Sequence, residues 1–338
     1  MDISVWTVVS IGFTAGGVPI AVFNAVVLIG ILRKKFLRNS FTMIAFMIFN
    51  GAATGVCMVA VGSFRIVGHL RYSNYMDDLV SSKQCIANII FVALLFFNLL
   101  NGAGLLVLNV DRAAAVVMPI FYFHKHQLIM TVLLAVCITS CGLLVFAAVI
   151  TTLMLPDHYV PRICRQFDTV YFPFYVAIIS TRSISAALAT FVMLGVVAIM
   201  LLRRAKVLNA QPRTTDQIQL FKERQRKLTY TTILSCKITL ILFVIPSLCQ
   251  LYLCFTNKEL LRVVSPYTMS LSFLNCVNEA FIFVIRQEGI RRSVLELMVY
   301  GTPSFLRKKI LQKLACDISS PAQSMFVQNK APLAPSNC

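Results

Sequence analysis

Apolar residues run along this chain in seven blocks, each too evenly apolar for the one-sided stripe of a soluble surface helix. The blocks cover approximately Val8 to Leu32, Phe41 to Ile66, Ile86 to Val110, Leu128 to Leu155, Phe172 to Leu202, Thr229 to Phe255 and Val263 to Ile285. A hydrocarbon layer of roughly 30 Å takes about 20 mostly apolar residues as helix, because every backbone N–H and C=O must be satisfied within its own segment. The pattern therefore predicts an all-α chain, a seven-transmembrane helix bundle. Beyond the last block, Ile290, Val294 and Leu297 recur at i, i+4 and i+7 opposite Arg291 and Arg292, which predicts a short amphipathic helix on the inner membrane surface. Residues 1–300 thus form the membrane domain, and 301–338 are expected to be a basic, largely disordered cytoplasmic tail.

Composition agrees with lipid as the solvent: 58% of residues are apolar and 13% charged. The net charge of +18 is unevenly placed, with 22 of the 31 basic residues falling on one side of the seven blocks. Arg33, Lys34, Lys35 and Arg38 follow the first block, and short basic loops stay in the cytoplasm, so the N-terminus is expected outside. The other side holds Arg65, Arg71, Lys83, Arg162, Arg165, Lys258 and Arg262, nearly balanced by six acids. Lipid headgroups and a cytoplasmic protein partner are the counter-surfaces for loops so placed, and a nucleic-acid partner is not expected. The first block has no basic residue ahead of it and carries Asp2 at its head, so it reads as a retained span rather than a cleaved signal.

Of the eleven cysteines, most fall inside helices, where a thiol acts as a small apolar group. Cys85 at the outer end of the third block and Cys164 in the second outer loop are placed to form a disulfide on the oxidising side, with Cys254 as a competitor. Ionisable residues at membrane depth are costly. Arg182 stands near mid-membrane, either to receive an anionic or carbonyl-bearing ligand or to bond neighbouring helices. Lys237 and Glu279 lie at similar depths, and a pair between them would hold a resting state. Asn98, Asn101 and Asn275 either line a ligand pocket or bond across helices, the second being favoured. Gly51 and Gly55 permit a close helix contact, and Cys316 is a candidate for acylation. His69, His124, His126 and His158 lie in loops on opposite sides, so no catalytic centre, metal site or cofactor is implied.

The third block ends in Asn109-Val110-Asp111-Arg112-Ala113-Ala114-Ala115-Val116-Val117-Met118-Pro119. This resembles the Asp/Glu-Arg-Tyr motif of rhodopsin-like G-protein-coupled receptors, including the proline seven residues past the arginine. Asn24 and Asn50 fit the mid-membrane polar sites of that family, although the second is usually an aspartate, so the sodium-binding carboxylate is missing. Pro246 falls at the kink of the sixth helix. Val244 replaces the usual tryptophan, and the seventh-helix Asn-Pro-x-x-Tyr motif is reduced to Asn278-Glu279-Ala280-Phe281-Ile282. With these departures, the Asp-Arg-Ala sequence and the Pro119-Ile120-Phe121-Tyr122 run, the chain looks most like the nematode serpentine chemoreceptors over about residues 8 to 300.

The resemblance implies a chemosensory receptor in the plasma membrane that binds a small molecule or peptide among its helices and activates a heterotrimeric G protein. It assigns the inner contacts to Asp111, Arg112, Pro119, Arg203, Arg204 and Lys227. Asp111 would hold the Arg112 guanidinium until the G protein replaces it. Ser272 stands where opsins carry their lysine and Leu94 where amine receptors carry their aspartate, so retinal and protonated amines are disfavoured. The competing reading is a seven-helix transporter or ligand-gated channel, but no inverted repeat is visible and the loop charges oppose an inside N-terminus.

Overall fold

The computed structural model describes residues 3–71, 78–210 and 233–300. Seven helices among them are long and apolar enough to cross a bilayer: Thr7–Arg33, Thr42–Arg71, Ile89–Val117, Pro119–Met154, Phe172–Leu202, Ile233–Thr256 and Lys258–Arg286. Five start and end within about five residues of the sequence expectation, and the third runs on past Val110 to Val117. The fourth begins at Pro119 rather than Leu128. Met118 leaves helical geometry at φ −124° and ψ 65°, and proline suits the first helical position, where no N–H is needed and its φ is already set. The added turns pass through a non-helical Lys125 before the apolar part of the span.

Local caps fix the other ends. Asn88 breaks a short helix, Ser82–Ile86, from the third span and accepts a hydrogen bond from the Ile90 N–H at 3.0 Å. Asn257 does the same for the seventh span by accepting from Leu260 N–H at 3.0 Å. In the sixth span Leu240–Val244 form a π-helical turn directly before Pro246. Proline donates no hydrogen bond and crowds the preceding turn, and the wider π turn absorbs that mismatch.

Apolar contact alone does not hold helices together in lipid, so backbones must approach closely. The first and second spans do so through glycine. A Cβ on Gly55 would sit 2.5 Å from the Ala21 nitrogen, and one on Gly17 would sit 2.8 Å from the Gly55 carbonyl. Gly51 likewise faces Asn24. The Gly51 and Gly55 pair is thereby used inside the bundle. The third span is central, touching the second, fourth and fifth. The fourth is the most lipid-facing, burying 22% of its apolar window against 56% for the third.

At the end predicted to lie outside, Leu79–Ser81 and Tyr159–Pro161 pair as a two-stranded antiparallel sheet that joins the first and second outer loops, with Val80 opposite Val160. Strands this short leave no periodic signal, and the sequence reading missed them. The Asp157 carboxylate ties them by accepting from Ser81 Oγ at 2.7 Å. Beside this small sheet Cys85 and Cys164 form the expected disulfide, with Cα atoms 5.5 Å apart, while Cys254 is a free buried thiol. At the opposite end the helix Glu288–Tyr300 buries Ile290 and Val294 against the first span, and Ser293 Oγ donates to Gly30 O at 2.6 Å. Lys34 and Glu296 add an ion pair at 2.9 Å. Lys227, Cys316 and the tail 301–338 lie outside the described residues.

Candidate functional site

Three polar regions follow one another along the bundle. The outermost is a cavity of about 530 Å³ beneath the second outer loop, between the first, second, third and seventh spans. Phe13, Phe91, Leu94, Phe167, Pro266 and Met269 supply its apolar wall. Its polar lining is Arg65, Arg165, Arg262, Gln166 and Ser265. The loop residues reach the cavity because Cys164, tethered to Cys85, adopts φ 49°, an uncommon left-handed turn for a non-glycine residue.

Those guanidinium groups are held in place by the fold. Arg65 donates to Ile163 O at 3.0 Å and lies over the Phe13 ring at 5.8 Å. Asp168 bridges Arg165 Nε at 2.9 Å and Arg262 Nε at 3.3 Å. Burial lowers the Arg165 pKa from its ordinary value, with Asp168 opposing the shift and Arg262 adding to it. The Gln166 Nε2 atom is buried without a hydrogen-bond partner.

Below the cavity lies a buried polar layer centred on Arg182, which is fully buried. Its Nη1 donates to Asn98 Oδ1 at 2.8 Å, and its Nη2 donates to Ser247 Oγ at 2.9 Å and Gln250 Oε1 at 3.3 Å. With a longer bond to Ser272 Oγ at 3.4 Å, the guanidinium joins the third, fifth, sixth and seventh spans, and it stacks over Phe243 at 5.5 Å. Gln250 passes the contact outward, donating to Tyr175 Oη at 2.9 Å and Ser265 Oγ at 3.0 Å. A second group of amides packs nearby. Asn50 donates to Asn101 Oδ1, Asn101 donates to Thr54 Oγ1 at 3.3 Å, and Asn24 donates to Ile20 O at 2.9 Å. Of the two roles open to Asn98, Asn101 and Asn275, the geometry displays cross-helix bonding, and none of the three lines either large cavity.

The inner region is a cavity of about 510 Å³ lined by Arg112, Glu279, Arg286, Asn109, Thr239 and Cys236 among others. Arg112 lies over the Phe283 ring at 5.0 Å. Asp111 does not hold it: among the described residues the Asp111 carboxylate accepts from Tyr122 Oη at 2.9 Å instead. The reason is rotation along the helix, since adjacent residues point about 100° apart and Asp111 faces the fourth span while Arg112 faces the seventh. Asn109 donates to Ala189 O at 3.0 Å, fixing the third span against the fifth.

The expected Lys237–Glu279 pair is also absent among the described residues. Lys237 is exposed, whereas Glu279 accepts from Asn275 Nδ2 at 2.9 Å and shares its cavity with Arg112. Similar depth did not put the two side chains on facing sides of their helices. Asn278 donates to Asn275 Oδ1 at 3.3 Å, Pro246 is buried after the π turn, and Pro119 opens the fourth span. Arg203 and Arg204 lie on the fifth helix, which continues to Ala210, and their side chains are outside the description. Among the described residues there is no group of three potential metal ligands.

Sequence reasoning missed the outer arginines as a cluster, treating them as topology charges. A usable signal was present: Arg65 and Arg262 both lie within a turn of a predicted outer helix end, where side chains converge under a loop. No curated protein matches the chain. The model of the serpentine type 7TM GPCR chemoreceptor family Srbc matches residues 1–286, which includes all seven spans, the disulfide, Asp111-Arg112 and Glu279. By that match, the chain belongs to the Srbc family of serpentine seven-transmembrane chemoreceptors.

Proposed function

We propose that this chemoreceptor sits in the plasma membrane with its N-terminus outside, binds a small ligand in the outer cavity and activates a heterotrimeric G protein at its inner face. The observation that carries the reading is the position of Arg112: it lies in an open inner cavity beside Glu279, and Asp111 is engaged elsewhere. A guanidinium so placed can exchange an aromatic face and a neighbouring carboxylate for backbone carbonyls or a carboxylate of an inserted partner helix. The basic residues concentrated at this end supply electrostatic attraction for an acidic partner surface. Pro246 and the π turn at Leu240–Val244 give the sixth span a bend above that cavity.

The test is nucleotide exchange on a panel of purified G proteins, measured with the receptor in lipid nanodiscs. Wild type is expected to accelerate exchange by at least one family of G protein. Arg112→Ala should remove that acceleration while leaving the thermal melting temperature within a few degrees. Acceleration undiminished in Arg112→Ala, or antibody access to the Arg203–Lys227 segment from outside intact cells, would overturn the reading.

A further inference from the structure

We propose that the outer cavity selects organic anions carried on an apolar body, with medium-chain and aromatic carboxylates as the chemical class. The assignment rests on the receptor reading above only for its consequence, signalling; the binding chemistry comes from the cavity itself. Its polar lining consists of three guanidinium groups, a hydroxyl and the Gln166 amide, and among the described residues that line it none is acidic. Asp168, the carboxylate that bridges Arg165 and Arg262, is not part of the lining. A protonated amine would therefore meet cations, whereas a carboxylate meets donors in the forked geometry that suits it.

Two further observations point the same way. Gln166 Nε2 is a buried donor that makes no hydrogen bond, so an acceptor arriving in the cavity satisfies it without displacing anything. The same lining carries the rings of Phe13, Phe91 and Phe167 with Leu94 and Met269, a surface for an alkyl or aryl body. Arg65 and Arg262 each lie against a phenyl ring, Phe13 and Phe167 respectively, both at 5.8 Å, so the cationic and apolar halves of the site are contiguous. The ligand class that fits is one with its charge at the edge of a hydrophobic body.

The experiment measures thermal stabilisation of the purified receptor by hexanoate, octanoate and phenylacetate, each below its micelle-forming concentration. Matching alcohols and amines (hexanol, octanol, 2-phenylethanol, hexylamine) serve as comparisons. Carboxylates are expected to raise the melting temperature dose-dependently and to bind at least tenfold more tightly than their alcohols. Arg65→Gln and Arg262→Gln should each erase that preference. Because Arg262 also ties Asp168, Gln166→Leu is the second variant; it leaves the loop's ion pairs intact and should weaken carboxylate binding several-fold with no change for alcohols. Alcohols or amines binding as well as acids, a preference retained in folded arginine variants, or no stabilisation by any acid overturns the proposal. Stabilisation by acids with no G-protein turnover would sink the signalling reading and leave the site assignment standing; turnover driven by neutral compounds alone would do the reverse.

Discussion

Substituting Arg182 by lysine should destabilise the receptor more than substituting it by methionine, although lysine is the conservative change in charge. Arg182 lies ten residues into the fifth span, about 15 Å from its start. Placing a cation at such depth costs about 2.5–3.5 kcal/mol on insertion scales. Three well-formed bonds, to Asn98, Ser247 and Gln250, offset it. Interhelical bonds in bilayers average about 0.6 kcal/mol and charge-assisted ones are roughly twice as strong, which gives about 4 kcal/mol in total. Methionine loses the bonds but sheds the charge, for a net loss of about 1 kcal/mol. Lysine keeps the charge and cannot span three helices with one ammonium, so it loses about 2–3 kcal/mol. At roughly 2–4 °C per kcal/mol, lysine should melt several degrees below methionine. With the accessible Cys236 and Cys249 replaced by serine in every variant, a thiol-reactive fluorogenic dye reads the transition, because Cys57, Cys137, Cys141, Cys254 and Cys276 are free and buried. A lysine variant that melts at or above the methionine variant would refute the bond count.

Four other outcomes are expected. Glu279→Gln should raise basal G-protein turnover about fivefold, a coupling of about 1 kcal/mol, because it removes the carboxylate that shares the inner cavity with Arg112. Lys237→Glu should leave basal turnover unchanged, since that side chain is exposed; a rise would restore the pairing that its depth suggested. Gly55→Leu should cost about 3 kcal/mol, seen as a lower melting temperature, while Gly142→Leu, with open space around its Cβ position, should be neutral. Replacing Cys85 and Cys164 together by serine should lower the melting temperature by roughly 5–10 °C, from a loss of about 2–3 kcal/mol, and abolish ligand stabilisation through release of the Arg165–Phe167 segment.

The seven spans were legible because lipid imposes one requirement on every segment, and a requirement on length and apolarity can be read from one dimension. The disulfide was legible for a related reason: few cysteines stood at the oxidising end. Which side chains face each other was not legible, because that depends on helix rotation and crossing, set by glycine contacts such as Gly17 against Gly55. Hence depth alone suggested Lys237 as the partner of Glu279, whereas its side chain turns to Asn275 and the cavity of Arg112. Arg182 was correctly placed at depth, but its acceptors Ser247 and Gln250 carry no signal in an apolar run. The outer cavity is assembled from four spans and a loop, and its arginines were visible one at a time without the tether that gathers them.

The side chains that bridge the spans in the membrane interior are largely amides rather than acids, and this limits what a conformational switch in it can consist of. Asn50, Asn98 and Asn101 do not titrate in the physiological range, so the bonds they make to one another, to Thr54 and to Arg182 are not switched by protons. The sixth span is pinned at mid-depth, where Ser247 and Gln250 accept from Arg182. In its inner half, among the described residues, one side-chain bond reaches the seventh span, from Thr239 Oγ1 to Asn275 Oδ1 at 3.0 Å. The π turn and Pro246 lie between those two attachments. Swinging the inner half therefore breaks a neutral bond of about 0.6 kcal/mol, whereas displacing the middle breaks charge-assisted bonds worth several times as much. The cheap motion is the one that widens the cavity around Arg112, and it leaves the Arg182 layer as the fixed point about which the helix bends.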